Sequence, residues 1–326
     1  MLSLDGVSKV YQVGTFGGKE LHAVSDVSFD VTDGAVVSLI GESGSGKSTI
    51  GKMILRLISI SAGTILSDGV DISTLQGRAL KEYYRNVQGV FQDPFSSYNP
   101  IFKADRVFKT IREEFFPQVP GSEWNNRVEG ALQVVGLNPA HVLDKFPHQL
   151  SGGQLQRFLI ARALLLDVRF LVADEIISML DASTRIDVLN LLADLKSRGL
   201  SVLFITHDLS LGYYISERSV ILYRGCVMEM GRTEKIYDRP LHPYTQMLMA
   251  SVPRLDRKWE EAANVMKGQQ SDLISGCVYY ARCPVAARNG MCSRGRPALV
   301  EVEDDHFVAC FHAGIGTMAT ARSSER

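Results

Sequence analysis

The run Gly41-Glu42-Ser43-Gly44-Ser45-Gly46-Lys47-Ser48, followed by Thr49, lies between an apolar strand pattern, Val36 to Ile40, and a helical pattern from Thr49 to Leu57. Gly41, Gly44 and Gly46 let successive backbone N–H groups curl round phosphate oxygens, and the helix that follows adds partial positive charge at its start. Lys47 is placed to reach β and γ phosphates and Ser48 to ligate Mg²⁺, with Ser43, Ser45 and Thr49 completing the lining. ATP is the ligand this spacing implies. A Mg²⁺ site also needs an acidic strand end, and Phe170-Leu171-Val172-Ala173-Asp174 supplies one, making Asp174 the expected metal partner. Glu175, one residue further on, can polarise an attacking water as general base. The same Asp-Glu pair could simply cap a helix; the phosphate loop upstream selects the catalytic reading. Ser151-Gly152-Gly153-Gln154 opens another helical pattern, running to Leu165, and is a second anion-binding helix start. One ATP does not need two such starts, so this loop is expected to cap the γ-phosphate held by a neighbouring chain, beyond an ordinary N-cap at Ser151.

The elements that must hold these residues read as an α/β fold. Leu21 to Val31 and Ala35 to Ile40 are rich in β-branched residues, and Gly63 to Ile72 reads as a hairpin turning at Ser67-Asp68-Gly69. Helical spacing at Val107 to Phe116, Trp124 to Val135 and Gly153 to Leu165 predicts a helical insertion over about 101–166. Strands at Arg169 to Ala173 and Ser201 to Thr206, separated by a helix at Ser183 to Arg198, form a βαβ order and so predict parallel strands with covered faces. Beyond Pro253 the pattern weakens into a polar connector, Asp256 to Asp272, then a short tail with four cysteines; Thr317 to Arg326 is expected to fray.

Composition narrows the function classes. With 35 Lys plus Arg against 36 Asp plus Glu among 326 residues, no basic surplus marks a nucleic-acid binder, and no nucleic acid is expected as partner. Apolar runs such as Phe158 to Val172 are broken by Arg162, Asp167 and Arg169, so a membrane connection must run through a partner. The N-terminus has no basic segment leading into an apolar one, which predicts a chain kept in the reducing cytoplasm, without disulfides.

In the order of these motifs, residues 1 to about 250 resemble the nucleotide-binding subunit of an ATP-binding cassette (ABC) transporter. The resemblance implies a RecA-like core with an antiparallel β subdomain and a helical subdomain near 93–166 inside an ATPase domain of residues 1–252, then an extension over 253–326. It implies that Ser151, Gly153 and Gln154 form the signature loop and that Gln92 senses Mg²⁺ and water. Asp181 would contact the opposite subunit, and His207, after the strand Ser201 to Thr206, would be the switch histidine beside γ-phosphate. Tyr11 resembles the aromatic residue stacked on adenine, although a tyrosine in an N-terminal strand can equally be core. The chain departs from the family at Ile176-Ile177, where Pro-Thr is usual, and at Met179, where a small residue is usual. No charge or hydroxyl of the site is lost, so an active ATPase is expected.

Phe91-Gln92-Asp93-Pro94-Phe95-Ser96-Ser97-Tyr98-Asn99-Pro100 and His242-Pro243-Tyr244-Thr245-Gln246 resemble the dipeptide and oligopeptide import group, which also handles nickel and oligosaccharides. That resemblance implies two integral-membrane permease subunits, whose cytoplasmic helix would dock near Gln92 to Pro100, and a second ABC ATPase, a paralogue by the habit of the group. It implies, indirectly, a substrate-binding protein, and a location on the cytoplasmic face of the membrane. Cys277, Cys283, Cys292 and Cys310 lack the Cys-x-x-Cys spacing of a zinc site, but the segment from Gly276 to Pro284 resembles the group's tail, in which four cysteines can hold a [4Fe–4S] cluster. Cluster, zinc and free thiols all stay open; Cys226, among apolar residues, reads as packing. A soluble cassette ATPase of the DNA-repair, chromosome or translation type is the rival function. It is disfavoured by the single set of motifs and the absence of a heptad run.

Overall fold

In the computed structural model, which describes residues 1–14, 18–251, 276–286 and 290–313, two sheets carry the architecture. β1 (Leu2–Val13) and β2 (Lys19–Val31) form a long antiparallel pair. Their alternating apolar residues, Leu2 and Leu4 on one and Val27, Phe29 and Val31 on the other, bury a single face. β3 (Val36–Ile40) runs into the glycine-rich loop and α1 (Lys47–Ile54). β4 (Ala62–Ser67) lies against β1 and turns into β5 (Val70–Asp71). Asp68 and Gly69 have φ of +50° and +80°, the twist a two-residue hairpin demands, so the turn expected at these residues is present.

α2 (Gly77–Asn86) leads to β6 (Val87–Val90), after which come α3 (Arg106–Phe115), α4 (Gly121–Val134), α5 (Pro139–Val142) and α6 (Gly152–Leu164). These are the expected helical insertion. Phe108, Ile111, Trp124, Val128, Leu132 and Phe158 are buried there, and the Phe108 and Phe158 rings stack with centroids 4.6 Å apart. β7 (Phe170–Asp174), α7 (Ala182–Ser197), β8 (Ser201–Thr206), α8 (Leu209–Ile215) and β9 (Arg218–Tyr223) complete the central layer.

The larger sheet then gains β10 (Cys226–Arg232), and the chain continues through α9 (Thr233–Asp238), α10 (Pro243–Ala250) and α11 (Met291–Arg294) to β11 (Val300–Glu303) and β12 (His306–Val308). The strand order is β11-β12-β10-β9-β3-β8-β7-β6. The five strands from β9 to β6 run parallel, whereas β10, β12 and β11 add on antiparallel. Every residue of β3, β7 and β8 is buried, as a sheet covered on both faces requires. Ile40 pairs with Thr206 and Asp174 with Ile205, so the chain leaves β3, β7 and β8 along one carboxyl edge, where ligands of open α/β sheets bind.

Within the tail, the last two strands were not legible. Val300-Glu301-Val302-Glu303 alternates apolar and charged residues, but four residues are too few to mark a strand by themselves, and its pairing with β12 makes it one. The connector 256–272 and the segment 317–326 lie outside the described residues. What ties the tail on is a buried polar knot. Glu229 and His306 are both fully buried, with Oε1 to Nε2 at 2.7 Å, and the same carboxylate accepts the N–H groups of Leu241 and His242 at 2.9 Å each.

His242 is itself buried, and its Nδ1 accepts the Tyr244 N–H at 3.0 Å, capping α10. Burial holds the imidazole down to about 4 from 6.5, against the pull of Glu229. A depressed value means that the unfolded chain binds more protons between these limits. Stability is therefore complete above pH 6.5 and falls as pH drops towards 4, by about 3 kcal/mol from this group. Urea melts at pH 7 and pH 4.5 should show that loss, and His242→Asn, which keeps a capping oxygen but cannot titrate, should show a smaller one.

Candidate ATP site

The glycine-rich loop is held where only glycine fits. Gly46 has φ of +103°, and a Cβ there would lie 2.5 Å from the Ala23 carbonyl oxygen; at Gly41 a Cβ would lie 2.1 Å from that of Leu222. Lys47 is buried at the start of α1, and its Nζ donates to the carbonyls of Gly41 at 2.8 Å and Glu42 at 2.9 Å. Burial lowers its proton affinity, while Glu175, Asp174 and Glu42 raise it. The Ser48 hydroxyl donates to Asp174 Oδ1 at 3.1 Å, joining α1 to the end of β7.

Burial pushes the Asp174 carboxyl up, more than the bond from Ser48 draws it down. A buried carboxylate beside a hydroxyl is a donor set that fits Mg²⁺, an oxygen-seeking cation. Because the folded value is raised, the ionised carboxylate works against the metal-free fold as pH rises above the ordinary carboxylate range. Asp174→Asn should therefore raise the melting temperature of Mg²⁺-free protein while abolishing Mg²⁺-dependent stabilisation by ATP. Paired thermal melts with and without MgATP measure both effects.

Glu175 has φ of +49°, a left-handed conformation, and its N–H donates to the Ile205 carbonyl at 2.9 Å. Its Oε1 lies 3.3 Å from Nδ1 of His207, the residue that leaves β8. Ile176 and Ile177, the two departures, are buried in the core of the helical insertion and pin the turn that follows Glu175, which Ser178 closes by donating to the Glu175 carbonyl. Met179, in contrast, is 60% exposed. Asp181 caps α7, accepting from the Thr184 N–H at 3.0 Å and the Ser183 hydroxyl at 2.6 Å, and these donors hold its carboxyl well below the usual carboxylate range.

Ser151 and Gln154 form a reciprocal cap, the hydroxyl accepting the Gln154 N–H at 3.2 Å and the amide oxygen accepting the Ser151 N–H at 2.9 Å. Ser151 is exposed, so the hydroxyl proton remains available outward. A Cβ at Gly153 would meet Thr184 Cγ2 at 2.9 Å, so Ser151 to Gln154 and Asp181 to Thr184 sit together. Among the described residues no hydrogen bond or ion pair joins Ser151–Gln154 to residues 41–49.

Gln92 is exposed two residues past β6, whose Val90 pairs with Ala173, next to Asp174. Tyr11 is half-buried rather than core; Lys9 Nζ lies 5.1 Å from its ring centroid. Lys9 pairs with Val24, whose side chain borders Gly46, and Tyr11 follows two residues further along β1, opposite Leu21. In the segment after Gln92, Phe95, Ile101 and Phe102 present apolar surface.

The four tail cysteines come to one place. The Cys277 N–H donates to the Cys292 carbonyl at 2.9 Å; burial, then its neighbours Cys292, Cys283 and Cys310, push the Cys277 thiol up to about 11. Yet among the described residues no three His, Cys, Asp or Glu side chains are grouped to hold a metal ion. The geometry thus gives convergence without a coordination set. Cys226 is buried, as expected of packing.

Two contributors escaped the sequence reading. Arg185 donates to the carbonyls of Leu180 at 2.8 Å and Ser178 at 3.3 Å, holding the loop before Asp181. Arg282, from the tail, pairs with Glu42 inside the phosphate loop. A carboxylate within an anion-binding loop was a signal that some cation must face it, but nothing in the sequence selects which.

The family described as ABC transporter matches residues 24–178, and the one described as the oligopeptide/dipeptide transporter C-terminal region matches residues 228–292. The oligopeptide transport ATP-binding protein AppF of Bacillus subtilis is 40% identical over 324 residues, covering 95% of this chain and 96% of that protein. The oligopeptide transport ATP-binding protein OppF of Haemophilus influenzae is 37% identical over 296 residues, covering 89% of this chain and 88% of that protein. Among solved structures, a dimeric ATP-binding cassette in a post-hydrolysis state with ADP and phosphate superposes with a TM-score of 0.64 at 29% identity, covering 72% of this chain and 99% of that one. Sequence motifs, sheet order and relatives agree, and the chain belongs to the ABC transporter family, as an ATP-binding member that carries the oligopeptide/dipeptide transporter C-terminal region.

Proposed function

We propose that this chain is the subunit that binds and hydrolyses ATP to drive an importer of peptides. The observation that carries the proposal is the carboxyl edge of β3, β7 and β8, which lines up Lys47, the Ser48–Asp174 pair and the Glu175–His207 pair. Names of the relatives favour peptides over oligosaccharides as cargo. In this reading residues 1–252 are the ATPase domain, with its helical part at 93–166, and residues 253–326 the extension.

The roles follow from chemistry. Gly41 to Thr49 cradle the phosphates, and Lys47 moves from the carbonyls it now contacts to the β and γ oxygens, offsetting charge on the phosphoryl group in transfer. Ser48, Asp174 and Gln92 would hold Mg²⁺, which would supply further neutralisation of phosphate charge. Glu175 takes a proton from the attacking water, and His207, 3.3 Å away, orients that carboxylate and the γ-phosphate. Tyr11 stacks on adenine. Ser151, Gly152, Gly153 and Gln154 cap the γ-phosphate bound to a second cassette, a paralogue of this chain, and Asp181 meets that partner. The cassette-only dimer among the similar structures supports a paired arrangement.

No helix among the described residues is long and apolar enough to cross a membrane. We place the chain at the cytoplasmic face, docked to two permease subunits through Phe95, Ile101 and Phe102, with a substrate-binding protein acting on the far side. Affinity purification from membranes should recover two integral-membrane proteins and a second cassette, with ATPase activity stimulated by the peptide-loaded binding protein. Recovery of a soluble, permease-free assembly with full ATPase activity would overturn the proposal.

Convergence of the four tail thiols supports one finer reading, a [4Fe–4S] cluster, although among the described residues no three side chains are grouped to hold a metal ion. Iron content and visible absorbance of anaerobically purified protein discriminate: a colourless, iron-free preparation removes the cluster.

A further inference from the structure

The phosphate loop contains a carboxylate, Glu42, in a place built to receive a polyanion. An unpaired carboxylate there would repel phosphate and compete for Lys47, whose carbonyl partner at 2.9 Å belongs to Glu42 itself. Glu42 is instead gripped from behind. Arg282 meets it in a two-pronged fashion, Nη1 to Oε2 at 2.9 Å and Nη2 to Oε1 at 3.1 Å, across 240 residues of sequence. The Glu42 N–H donates to the hydroxyl of Tyr244 at 3.1 Å. Both holders are packed against aromatic rings. Tyr244 and Tyr279 are almost fully buried, their rings lie 5.3 Å apart, and the Arg282 guanidinium rests 5.8 Å from the ring centroids of Tyr223 and Tyr279.

We propose that Arg282 is a positioning residue of the ATP site: by pairing with Glu42 it keeps that carboxylate away from Lys47 and the incoming phosphates, which makes the C-terminal extension a working part of the phosphate loop. The proposal rests on the reading of residues 41–49 as the ATP cradle. A bidentate guanidinium–carboxylate pair fixes direction as well as charge, a task a lysine performs poorly. Since Arg282 lies between Tyr279 and Cys283, whatever orders the cysteine-bearing tail also sets the loop.

The test is equilibrium binding of MgATP to the full-length chain, together with steady-state ATPase kinetics of the assembled complex. Arg282→Ala should weaken MgATP binding and raise KM by about tenfold, with kcat within about twofold of wild type. Arg282→Lys should fall between the two. The deciding variant is Arg282→Ala combined with Glu42→Gln: once the carboxylate is gone Arg282 has nothing to restrain, so affinity should return to within about twofold of wild type. A merely structural arginine would leave the double variant as weak as Arg282→Ala, and that result, or an unchanged affinity in Arg282→Ala, overturns the proposal. Should Arg282→Ala fail to fold, Arg282→Lys with and without Glu42→Gln gives the same comparison. Wild-type protein that binds no MgATP would instead defeat the reading of the site itself.

Discussion

Glu175→Gln should bind MgATP as tightly as wild type yet hydrolyse it about 10² to 10⁴ times more slowly, leaving the protein closed around uncleaved nucleotide. The glutamine amide is nearly the shape of the carboxylate, and the backbone bond from residue 175 to the Ile205 carbonyl does not depend on the side chain. What is lost is the proton acceptor, and with it the charge facing His207. Wild type and variant, mixed with the second cassette and MgATP, should separate by size-exclusion chromatography: the variant persists as a dimer, the wild type returns to monomers as ATP is consumed. Near-normal turnover by the variant would remove Glu175 as the base. His207→Ala should have a smaller effect, because the histidine orients groups that remain in place without it.

The second large effect falls far from the chemistry. Glu229→Ala removes one side of a fully buried pair and strands three donors, His306 Nε2 and the N–H groups of Leu241 and His242. Breaking such a pair costs about 3–5 kcal/mol. Chemical denaturation should register that loss. Because Glu229 ties β10 to β12 and to the turn before α10, limited proteolysis should cut the C-terminal segment of the variant before the cassette core. A variant that melts within about 1 kcal/mol of wild type, with an unchanged cleavage pattern, would show that β12 is held by its strand pairing alone. The same variant ought also to weaken MgATP binding, since Tyr244, which receives the Glu42 N–H, lies two residues after His242 and donates its own N–H to that imidazole.

Much of the catalytic edge was legible because its signals are local. Gly41 to Ser48, Asp174-Glu175 and His207 each sit at the end of an apolar strand, and a strand end followed by a polar residue is a pattern that neighbouring residues write by themselves. Helices α4, α6 and α7 began and ended within a few residues of their expected limits for the same reason: the 3.6-residue period and caps such as Ser151 and Asp181 are short-range features. For Tyr11 the sequence allows adenine stacking or core, and only the fold shows it half-buried, since burial depends on what covers a strand.

Composition, spacing and hydrophobic period by themselves determined an α/β core, its phosphate loop, and the acidic residues at its strand ends; the resemblance of its motifs to a family made that core a cassette. Tertiary structure alone decided what the tail does. Glu229 and His306 are 77 residues apart, Glu42 and Arg282 are 240 apart, and the four cysteines converge without forming a coordination set. No local rule selects one distant partner from many equivalent arginines or histidines; the choice is made when β12 docks on β10 and burial makes every unpaired charge costly. The sequence therefore specified the chemistry of the loop, while folding specified what holds that loop still.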